Sequence, residues 1–357
     1  MNQIPKAYEA KFENGIQHPE LYLWDAWSFV ENKVMHLYCL AIPRYKSDGS
    51  KLDPSERNDF PFHIRHFTSS NDGLSWKDEG CFFNSIQYSK LNYRTIWSGC
   101  VKPMPNGKKL VAYTGIENAD LDHKYIQNIT LATSDDGHSV NTLVNKVLLS
   151  PSRDWKYITD KGFYLDVQDN LGSNQGEEGG PIMAWRDPFI YFDVKGKLNL
   201  FLAAKIRPRE SALARITMNQ REGLFELAEL HPPIIVPDVE DFTQLEVPKI
   251  LFDHDNETYY LIISTCNRLY ENQPESEIEK EVRLYKSKNM NGPWVSLGEN
   301  ILNKENLFGL TVLKTDFKNN RLLCMAPYTE AAEENLKLTF APVFYVYLDS
   351  LKIEFIK

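Results

Sequence analysis

Short alternating runs of apolar and polar residues, separated by turn signals, cover most of the chain. Residues 24–42 form one run around the turn Glu-Asn-Lys at 31–33, and residues 62–68 form another that leads to Asn-Asp-Gly at 71–73. A period of two residues is typical of β-strands with one buried face, and turn residues of these types favour hairpins. The pattern therefore predicts a chain built of antiparallel hairpins.

The hairpins repeat along the chain. The phrase Thr-Ser-Ser-Asn-Asp-Gly that ends at Gly73 returns as Ala-Thr-Ser-Asp-Asp-Gly ending at Gly137, in the corresponding place of the next unit. Five units of about four short strands are typical of a β-propeller. We therefore predict one all-β domain over residues 1–357, a five-bladed β-propeller whose blades are four-stranded antiparallel sheets around a central funnel. A pair of β-sandwiches is the main alternative. The predicted blades are residues 20–80, 94–145, 185–228, 246–298 and 307–355.

Two segments do not follow the strand pattern. Helical periodicity occurs only in short stretches, of which residues 331–338 are an example. Residues 172–180 are rich in glycine, contain two glutamates and precede the third unit. We expect a short helix at 331–338 and a mobile loop on the rim of the funnel at 172–180.

The composition is that of a folded protein without an excess of positive charge. With 357 residues and 42% hydrophobic content, the chain can bury a large core. Its 40 Lys and Arg residues are scattered and outnumbered by 49 Asp and Glu residues, so neither nucleic acid nor an anionic membrane is an expected partner. The first residues lack the apolar stretch of a signal peptide, which favours a cytoplasmic protein, or a secreted one if the sequence is a mature form. The oligomeric state is left open.

The cysteines favour buried free thiols over disulfides, because they are odd in number, widely separated and mostly within apolar strands. No cofactor and no metal site are predicted. The acidic loops at 135–136 and 253–255 have ligand types that suit a structural calcium ion, but nothing in their pattern requires one. The five cysteines are Cys39, Cys81, Cys100, Cys266 and Cys324.

Three acidic residues stand out because each lies beside tryptophan or proline where an apolar strand begins. Asp25 lies between two tryptophans, Asp187 precedes a proline, and Glu246 lies two residues before another. Taken singly, each has a structural explanation: a turn cap, an ion pair with the preceding arginine, or a carboxylate that faces solvent. Together they open the first, third and fourth units, and the first strand of each propeller blade lines the central channel. We therefore expect them to converge in one funnel, where differing surroundings can separate their protonation for acid and base chemistry.

The segments around these acids resemble the ordered motifs of glycoside hydrolase family 68, over about residues 20–270. This family contains levansucrases, inulosucrases and related β-fructofuranosidases, and it shares a five-bladed propeller with family 32. The resemblance implies that Asp25 is the nucleophile, Asp187 the transition-state stabiliser and Glu246 the general acid/base. The matching segments read Trp-Asp-Ala-Trp at 24–27, Arg-Thr-Ile-Trp-Ser-Gly at 94–99, Trp-Arg-Asp-Pro at 185–188 and Gln-Leu-Glu-Val-Pro at 244–248.

The resemblance also implies which residues contact the sugar. Trp97 and Ser98 match residues that line the fructosyl pocket, and Arg186 matches the arginine beside the stabiliser. Gln244 is the polar residue two positions before the acid/base, and Arg268 is a candidate contact for the donor sugar. Indole rings within the motifs suit the apolar C–H faces of sugars, although the same rings can fill a propeller core. The predicted binding residues are Trp24, Trp27, Trp97, Ser98, Arg186, Gln244 and Arg268.

The chemistry is consistent with these residue types. A retaining glycosidase needs an ionised carboxylate as nucleophile and a protonated carboxyl that gives its proton to the leaving oxygen, about 5–5.5 Å apart. Burial beside Pro248 would favour the protonated form of Glu246, and Arg186 or backbone donors would favour the ionised form of Asp25. The predicted function is a retaining glycoside hydrolase or fructosyltransferase that acts on β-fructofuranosides, such as sucrose or fructo-oligosaccharides, through a covalent fructosyl-Asp25 intermediate.

Two alternatives remain open. One is an inverting furanosidase of a related propeller family that acts on arabinose-type or anhydrogalactose-type sugars, with its carboxyl groups about 6.5 Å or more apart. The other is a sugar-binding propeller without catalysis. The chain also departs from family 68, because the second strand of the third unit ends in Lys205, where the family usually has an acidic residue that helps to bind the leaving glucose. We therefore expect weak activity on sucrose itself.

Overall fold

The computed structural model describes residues 4–144, 147–221, 224–271, 273–298, 302 and 305–356. Its strands form five antiparallel sheets in chain order, which confirms the five-bladed β-propeller. The predicted end of the second blade at residue 145 lies outside the described residues.

The first blade contains β1 (Phe12–Glu13), β2 (Leu21–Glu31), β3 (Val34–Pro43), β4 (His63–Ser69) and β5 (Ser75–Phe83). The second contains β6 (Tyr93–Pro103), β7 (Lys109–Glu117), β8 (Gln127–Ser134) and β9 (Thr142–Leu143). The third contains β10 (Arg186–Phe192), β11 (Leu198–Arg207), β12 (Glu210–Arg221) and β13 (Leu224–Leu230). The fourth contains β14 (Gln244–Asp253), β15 (Thr258–Cys266), β16 (Lys280–Ser287) and β17 (Val295–Gly298). The fifth contains β18 (Thr311–Asp316), β19 (Arg321–Met325), β20 (Phe344–Tyr347) and β21 (Ile353–Phe355).

Helices are few and short. The α-helices in the described ranges are α1 (Ser85–Tyr88) and α2 (Pro151–Asp160). No helix among the described residues is long and apolar enough to cross a membrane. The described 3-10 helices are Pro54–Asp59, Ser89–Leu91, Gln168–Asn170, Glu177–Gly179, Val239–Asp241, Glu275–Glu277 and Phe317–Asn319.

The first long strand of each blade is the innermost one. Strand β2 contacts β6, β6 contacts β10, and β10 contacts β14, so these strands surround the centre of the propeller. The ring closes between the last blade and the first, where β18 contacts β2. There Ser28 Oγ donates a hydrogen bond to the Val312 carbonyl at 2.6 Å, and Thr311 Oγ1 donates one to the Ala26 carbonyl at 2.7 Å. Apolar side chains fill the spaces between neighbouring blades, in four buried clusters rather than one central core.

Local sequence explains the hairpins well. The two-residue turn between β2 and β3 places Asn32 at a φ of 51° and Lys33 at 65°, the geometry whose twist matches that of paired strands. The first blade differs in detail from the prediction, because β1 pairs with β5 and makes that sheet five-stranded. The N-terminal segment therefore covers an outer edge that would otherwise be open.

The helix predicted at 331–338 is wrong. These residues form turns. Leu338 has a φ of 51°, its N–H donates to the Tyr328 carbonyl at 3.2 Å, and its carbonyl accepts from the Leu23 N–H at 2.7 Å. Backbone pairing with the fifth and first blades thus takes the hydrogen-bonding groups that a helix would need.

A buried ion pair between Arg65 and Asp78 fastens the N-terminal segment to the first blade, and its removal should weaken the fold. Arg65 donates to Asp78 through Nε at 2.8 Å and Nη2 at 2.6 Å, and both side chains are fully buried. Breaking such a pair leaves an uncompensated buried charge, so Asp78→Ala should lower the free energy of unfolding by about 3–5 kcal/mol. Urea denaturation measures this, with Lys156→Ala, in an exposed helical ion pair, as the control. Equal midpoints for the two variants would contradict the prediction.

Candidate active site

One cavity lies between the innermost strands, with a volume of about 160 Å³. It brings together residues from all five blades that are far apart in sequence. The three acids predicted to converge all line it. The predicted site residues that line the cavity are Trp24, Asp25, Trp97, Ser98, Arg186, Asp187, Gln244, Glu246 and Arg268.

A β-bulge interrupts each innermost strand that carries these residues. A bulge adds a residue to one strand of a pair, bends the strand and re-aims a side chain. Asp25, Asp187 and Val247 have positive φ angles of 40°, 59° and 41°, which cost about 1–3 kcal/mol each in non-glycine residues and persist only where the surroundings hold them. The register shifts lie between Trp24 and Ala26 in β2, Trp97 and Gly99 in β6, Arg186 and Phe189 in β10, and Glu246 and Lys249 in β14.

Hydrogen bonds connect these bulges from blade to blade. Ser98 Oγ donates to Asp25 Oδ2. Thr114 Oγ1, on β7, donates to the Ser98 carbonyl at 3.1 Å and accepts from the Asp187 N–H at 2.9 Å. Asp187 Oδ2 in turn accepts from the Val247 N–H at 3.0 Å. Sequence reasoning missed Thr114, because a threonine inside an apolar strand carries no motif.

Gly99 permits the close approach of β6 and β7 that this arrangement needs. A Cβ atom at this position would lie 2.1 Å from the Ala112 carbonyl oxygen, a distance that no side chain tolerates. Glycine is therefore required where the two backbones meet at the bulge. This explains physically why the Trp-Ser segment of β6 is followed by glycine.

The two buried aspartates compete for ionisation. Burial raises the pKa of Asp25, while the hydrogen bond from Ser98 and the charge of Lys249 oppose the rise. Burial also raises the pKa of Asp187 to about 7, against the nearby Arg186 guanidinium and with added repulsion from Asp25 and Glu246. Carboxyl groups that share a site in this way hold protons that others in the protein release.

Arg186 is the cation that connects the second and third acids. Its Nε lies 3.6 Å from Asp187 Oδ2, and its Nη2 lies 3.5 Å from Glu246 Oε1. Nη2 also donates to Gln244 Oε1 at 2.6 Å, and Nη1 donates to the Met183 carbonyl at 3.0 Å. The donor that faces Asp25 is therefore the Ser98 hydroxyl and not Arg186. The Glu246 side chain is 27% exposed and so is less buried than its position beside Pro248 suggested.

The tryptophans divide between the cavity and the core. Trp24 lines the cavity and packs edge-on against Phe62 with ring centres 4.9 Å apart, and the half-buried Trp97 lies 5.9 Å from Tyr125. Trp27 does not line the cavity. It is buried in the apolar cluster between the first two blades, farther along β2, so the structure gives it a packing role.

A network of charged side chains forms another part of the wall. Glu330 lies between Arg57, at 2.6 Å, and Lys280, at 3.2 Å. Glu275 pairs with Lys280 and with the predicted Arg268, both at 2.6 Å. Burial alone would raise the pKa of Glu330, but the two cations hold it below its ordinary value. Apart from Arg268, these residues were not found from the sequence, because they lie in connections or at a strand end, where charged side chains usually face solvent.

The segment before the third blade has a structural role. Lys205 is fully buried and donates to Glu177 Oε2 at 3.1 Å and to the Ile182 carbonyl at 3.3 Å. The same carbonyl accepts from Gln244 Nε2 at 3.4 Å. Residues 172–180 are not among the residues that line the cavity.

Other candidate sites are limited. Within the described part of the chain, no group of three or more His, Cys, Asp and Glu side chains is arranged to hold a metal ion. All five cysteines are free thiols, as predicted, and only Cys81 among them is not fully buried.

Comparison with solved structures shows that the fold is similar to that of levansucrases and an inulosucrase. No protein-family model and no curated protein sequence match this chain. Among solved structures, the levansucrase of Bacillus subtilis has a TM-score of 0.69 and 17% identity, with 97% of this chain and 88% of that chain covered. The inulosucrase of Halalkalicoccus jeotgali bound to kestose has a TM-score of 0.65 and 17% identity, with 99% and 90% covered. A levansucrase variant complexed with sucrose has a TM-score of 0.67 and 18% identity, with 95% and 87% covered.

The raised pKa of Asp187 predicts a distinctive dependence of stability on pH. The folded state binds a proton more tightly than the unfolded state, whose Asp pKa is about 3.9, so the contribution of this group to stability falls as pH rises towards 7. Asp187→Asn removes this decline. From pH 5 to pH 8, the free energy of unfolding of the variant should therefore rise by about 1–3 kcal/mol relative to that of the parent. Denaturant unfolding at both pH values measures this change.

Asp316→Asn is the control for this experiment. Hydrogen bonds from Asn319 and Arg321 hold the pKa of the exposed Asp316 carboxyl below its ordinary value, so that carboxylate is ionised in both states across the same range. Its effect should not change between pH 5 and pH 8. If the difference in free energy of unfolding between Asp187→Asn and the parent also stayed constant from pH 5 to pH 8, Asp187 would be ionised throughout and the prediction would be contradicted.

Proposed function

We propose that this chain is a retaining glycosidase or fructosyltransferase that acts on β-fructofuranosides through a covalent sugar intermediate on Asp25. The observation that carries the proposal is the convergence of Asp25, Asp187 and Glu246, from three blades, on one small cavity. Each has partners of a different kind: a hydroxyl for Asp25, a backbone N–H for Asp187 and a guanidinium shared between Asp187 and Glu246. Different surroundings for neighbouring carboxyl groups are what acid/base catalysis requires.

In the first step, an Asp25 carboxylate oxygen attacks the anomeric carbon and the bond to the leaving oxygen breaks. Glu246 gives its proton to that oxygen, so the leaving group departs as a neutral hydroxyl compound. The partial exposure of Glu246 suits this role, because its side chain must reach both the leaving group and the molecule that later replaces it. The Ser98 hydroxyl holds the Asp25 carboxylate in a fixed direction during attack.

In the second step, Glu246 takes a proton from water or from a sugar hydroxyl, whose oxygen then attacks the anomeric carbon and releases Asp25. Water gives hydrolysis, and a sugar gives transfer. Asp187 accepts hydrogen bonds from hydroxyl groups of the ring, and these bonds strengthen as positive charge develops on the sugar. Its connection to Val247 keeps it beside the acid/base residue through both steps.

The choice of a furanoside rests on two kinds of support. The cavity combines indole faces at Trp24 and Trp97 with several charged and amide groups, a surface that suits a small polyhydroxylated ring. The solved structures with a similar fold include an inulosucrase bound to kestose and a levansucrase variant complexed with sucrose. The charged network of Arg57, Lys280 and Glu330 then lies where hydroxyl groups of a leaving or accepting sugar can bind.

Two substitutions test the assignment of the acids. Asp25→Asn should abolish turnover of every donor, because no intermediate can form. Glu246→Gln should slow natural fructosides by about 10²–10⁴-fold but slow the departure of a nitrophenyl group from an aryl β-fructofuranoside much less, because that group leaves without a proton. The burst of aryl release in the first turnover and the rate of sugar release are measured side by side, with Trp27→Phe as the control for a buried aromatic change away from the cavity.

Chromatography of the products from sucrose, kestose, inulin, levan and raffinose then defines donor and acceptor. We expect sucrose to be a poor donor, because Lys205 stands where family 68 usually has an acidic residue. Its ammonium group is already paired with Glu177. NMR of the released sugar shows its anomeric configuration. Inversion at the anomeric carbon would contradict the covalent route and favour direct attack by water. If the parent releases sugar from no furanoside while binding fructo-oligosaccharides, the chain is a binding propeller.

A further inference from the structure

One buried ammonium group lies three residues after Glu246, outside the lining of the cavity. Lys249 belongs to β14, is 5% exposed and does not line the cavity. Its Nζ donates a hydrogen bond to the Val247 carbonyl at 3.0 Å. Among the described residues it forms no direct ion pair with a carboxylate, which distinguishes it from the other buried lysines, Lys109 and Lys205.

The electrostatic surroundings of Lys249 include groups from all four other blades. It interacts electrostatically with Asp25 of the first blade, Cys100 of the second, Asp187 of the third and Cys324 of the fifth. Burial raises the pKa of both thiols, so they are neutral near pH 7. The negative charge that meets Lys249 therefore comes from the two buried aspartates.

Lys249 also holds the bulge that presents the acid/base residue. Val247 has a φ of 41°, in a region that β-branched residues avoid. Both of its peptide groups are fixed: its N–H donates to Asp187 Oδ2 at 3.0 Å, and its carbonyl accepts from Lys249 Nζ at 3.0 Å. The lysine thus completes the set of contacts that keeps Glu246, one residue earlier, directed at the cavity.

A buried cation at this place is unfavourable for folding alone. Burial lowers the pKa of Lys249 to about 8, although Asp25 and Asp187 favour its charged form. An apolar residue of similar size would avoid the cost of desolvating the ammonium. Its presence is explained if the charge serves the aspartates, which burial and mutual repulsion would otherwise keep protonated.

We propose that Lys249 is a positioning residue of the site, which holds the Val247 bulge in place and supplies positive charge to the buried carboxyl group of Asp25. The inference rests on the proposed function, because it gives Asp25 the role of nucleophile. It assigns two separable actions to one side chain, a hydrogen bond to the Val247 carbonyl and a positive charge near Asp25. The other charged groups around these aspartates are Arg186, Glu246 and Arg57, and none of them changes in the test below.

Two variants separate the two actions. Lys249→Gln keeps a donor for the Val247 carbonyl but removes the charge, and Lys249→Met removes both. In each variant the acidic limb of the profile of kcat/KM against pH should move to higher pH by about one unit, because Asp25 loses the cation that favours its ionised form. Lys249→Met should also lower kcat at its best pH at least tenfold below Lys249→Gln, with KM nearly unchanged because Lys249 does not line the cavity.

Lys109→Met is the matched control. Lys109 is also a buried strand lysine, on the second blade, where it pairs with Glu31 of the first. It does not line the cavity, so its loss should leave the acidic limb in place. Thermal unfolding of all variants shows whether each is folded at the assay temperature. If Lys249→Met does not fold, the displaced limb in Lys249→Gln still decides the role of the charge.

A second readout does not need activity. NMR titration of isotope-labelled aspartate carboxyl carbons, assigned with Asp25→Asn and Asp187→Asn, should show the Asp25 midpoint higher in both Lys249 variants than in the parent. This separates the failure of the inference from the failure of the proposed function, because the midpoint moves even if the parent cleaves no furanoside. An unmoved Asp25 midpoint together with an unmoved acidic limb would overturn the inference.

Discussion

The site depends on one chain of hydrogen bonds that runs across the innermost strands at their bulges. It passes from Asp25 to Ser98, through Thr114 to Asp187, and then to Val247. The bulges at Asp25, Asp187 and Val247 store backbone strain that an isolated hairpin would release by returning to regular pairing. The blades therefore fix one another's geometry, and the acids keep their directions only while the ring is closed.

This arrangement explains why the aspartates combine burial with polar contacts. A regular strand would direct alternate side chains between blades, where a carboxylate would be surrounded by apolar groups. The bulge turns it instead towards the cavity, where a hydroxyl, a backbone N–H or a guanidinium can partner it. The aspartate carboxyl groups still lie in a poorly hydrated place, and this raises their pKa values and makes the nearby cations important.

Much of the fold could be predicted from local patterns. Turn residues such as Asn32 and Lys33 specify hairpins, and the repetition of hairpins at similar spacing indicated the number of blades. The placement of the three acids at the starts of units was enough to bring them together. The helix expected at 331–338 failed because its backbone pairs with two blades, a long-range event that local periodicity does not report.

The finer parts of the site could not be predicted, for physical reasons. The alternation of apolar and polar residues predicts correctly that Trp27 lies on a strand. It does not predict where the strand bulges, and so it cannot say which way Trp27 points; the structure buries this side chain between blades. Thr114 and Lys249 act through hydrogen bonds that depend on the register of neighbouring strands. Arg57 and Glu330 meet across loops of different blades, and no sequence spacing encodes such a contact.

The most direct measurement of the central claim is the capture of the sugar on Asp25. In Glu246→Gln, an aryl β-fructofuranoside still forms the intermediate, but no base remains to activate water, so the intermediate accumulates and survives an acid quench. Mass spectrometry of peptides should then find one hexosyl group on the peptide that contains Asp25. A hexosyl group on Asp187, or free sugar released without any adduct on the protein, would contradict the account.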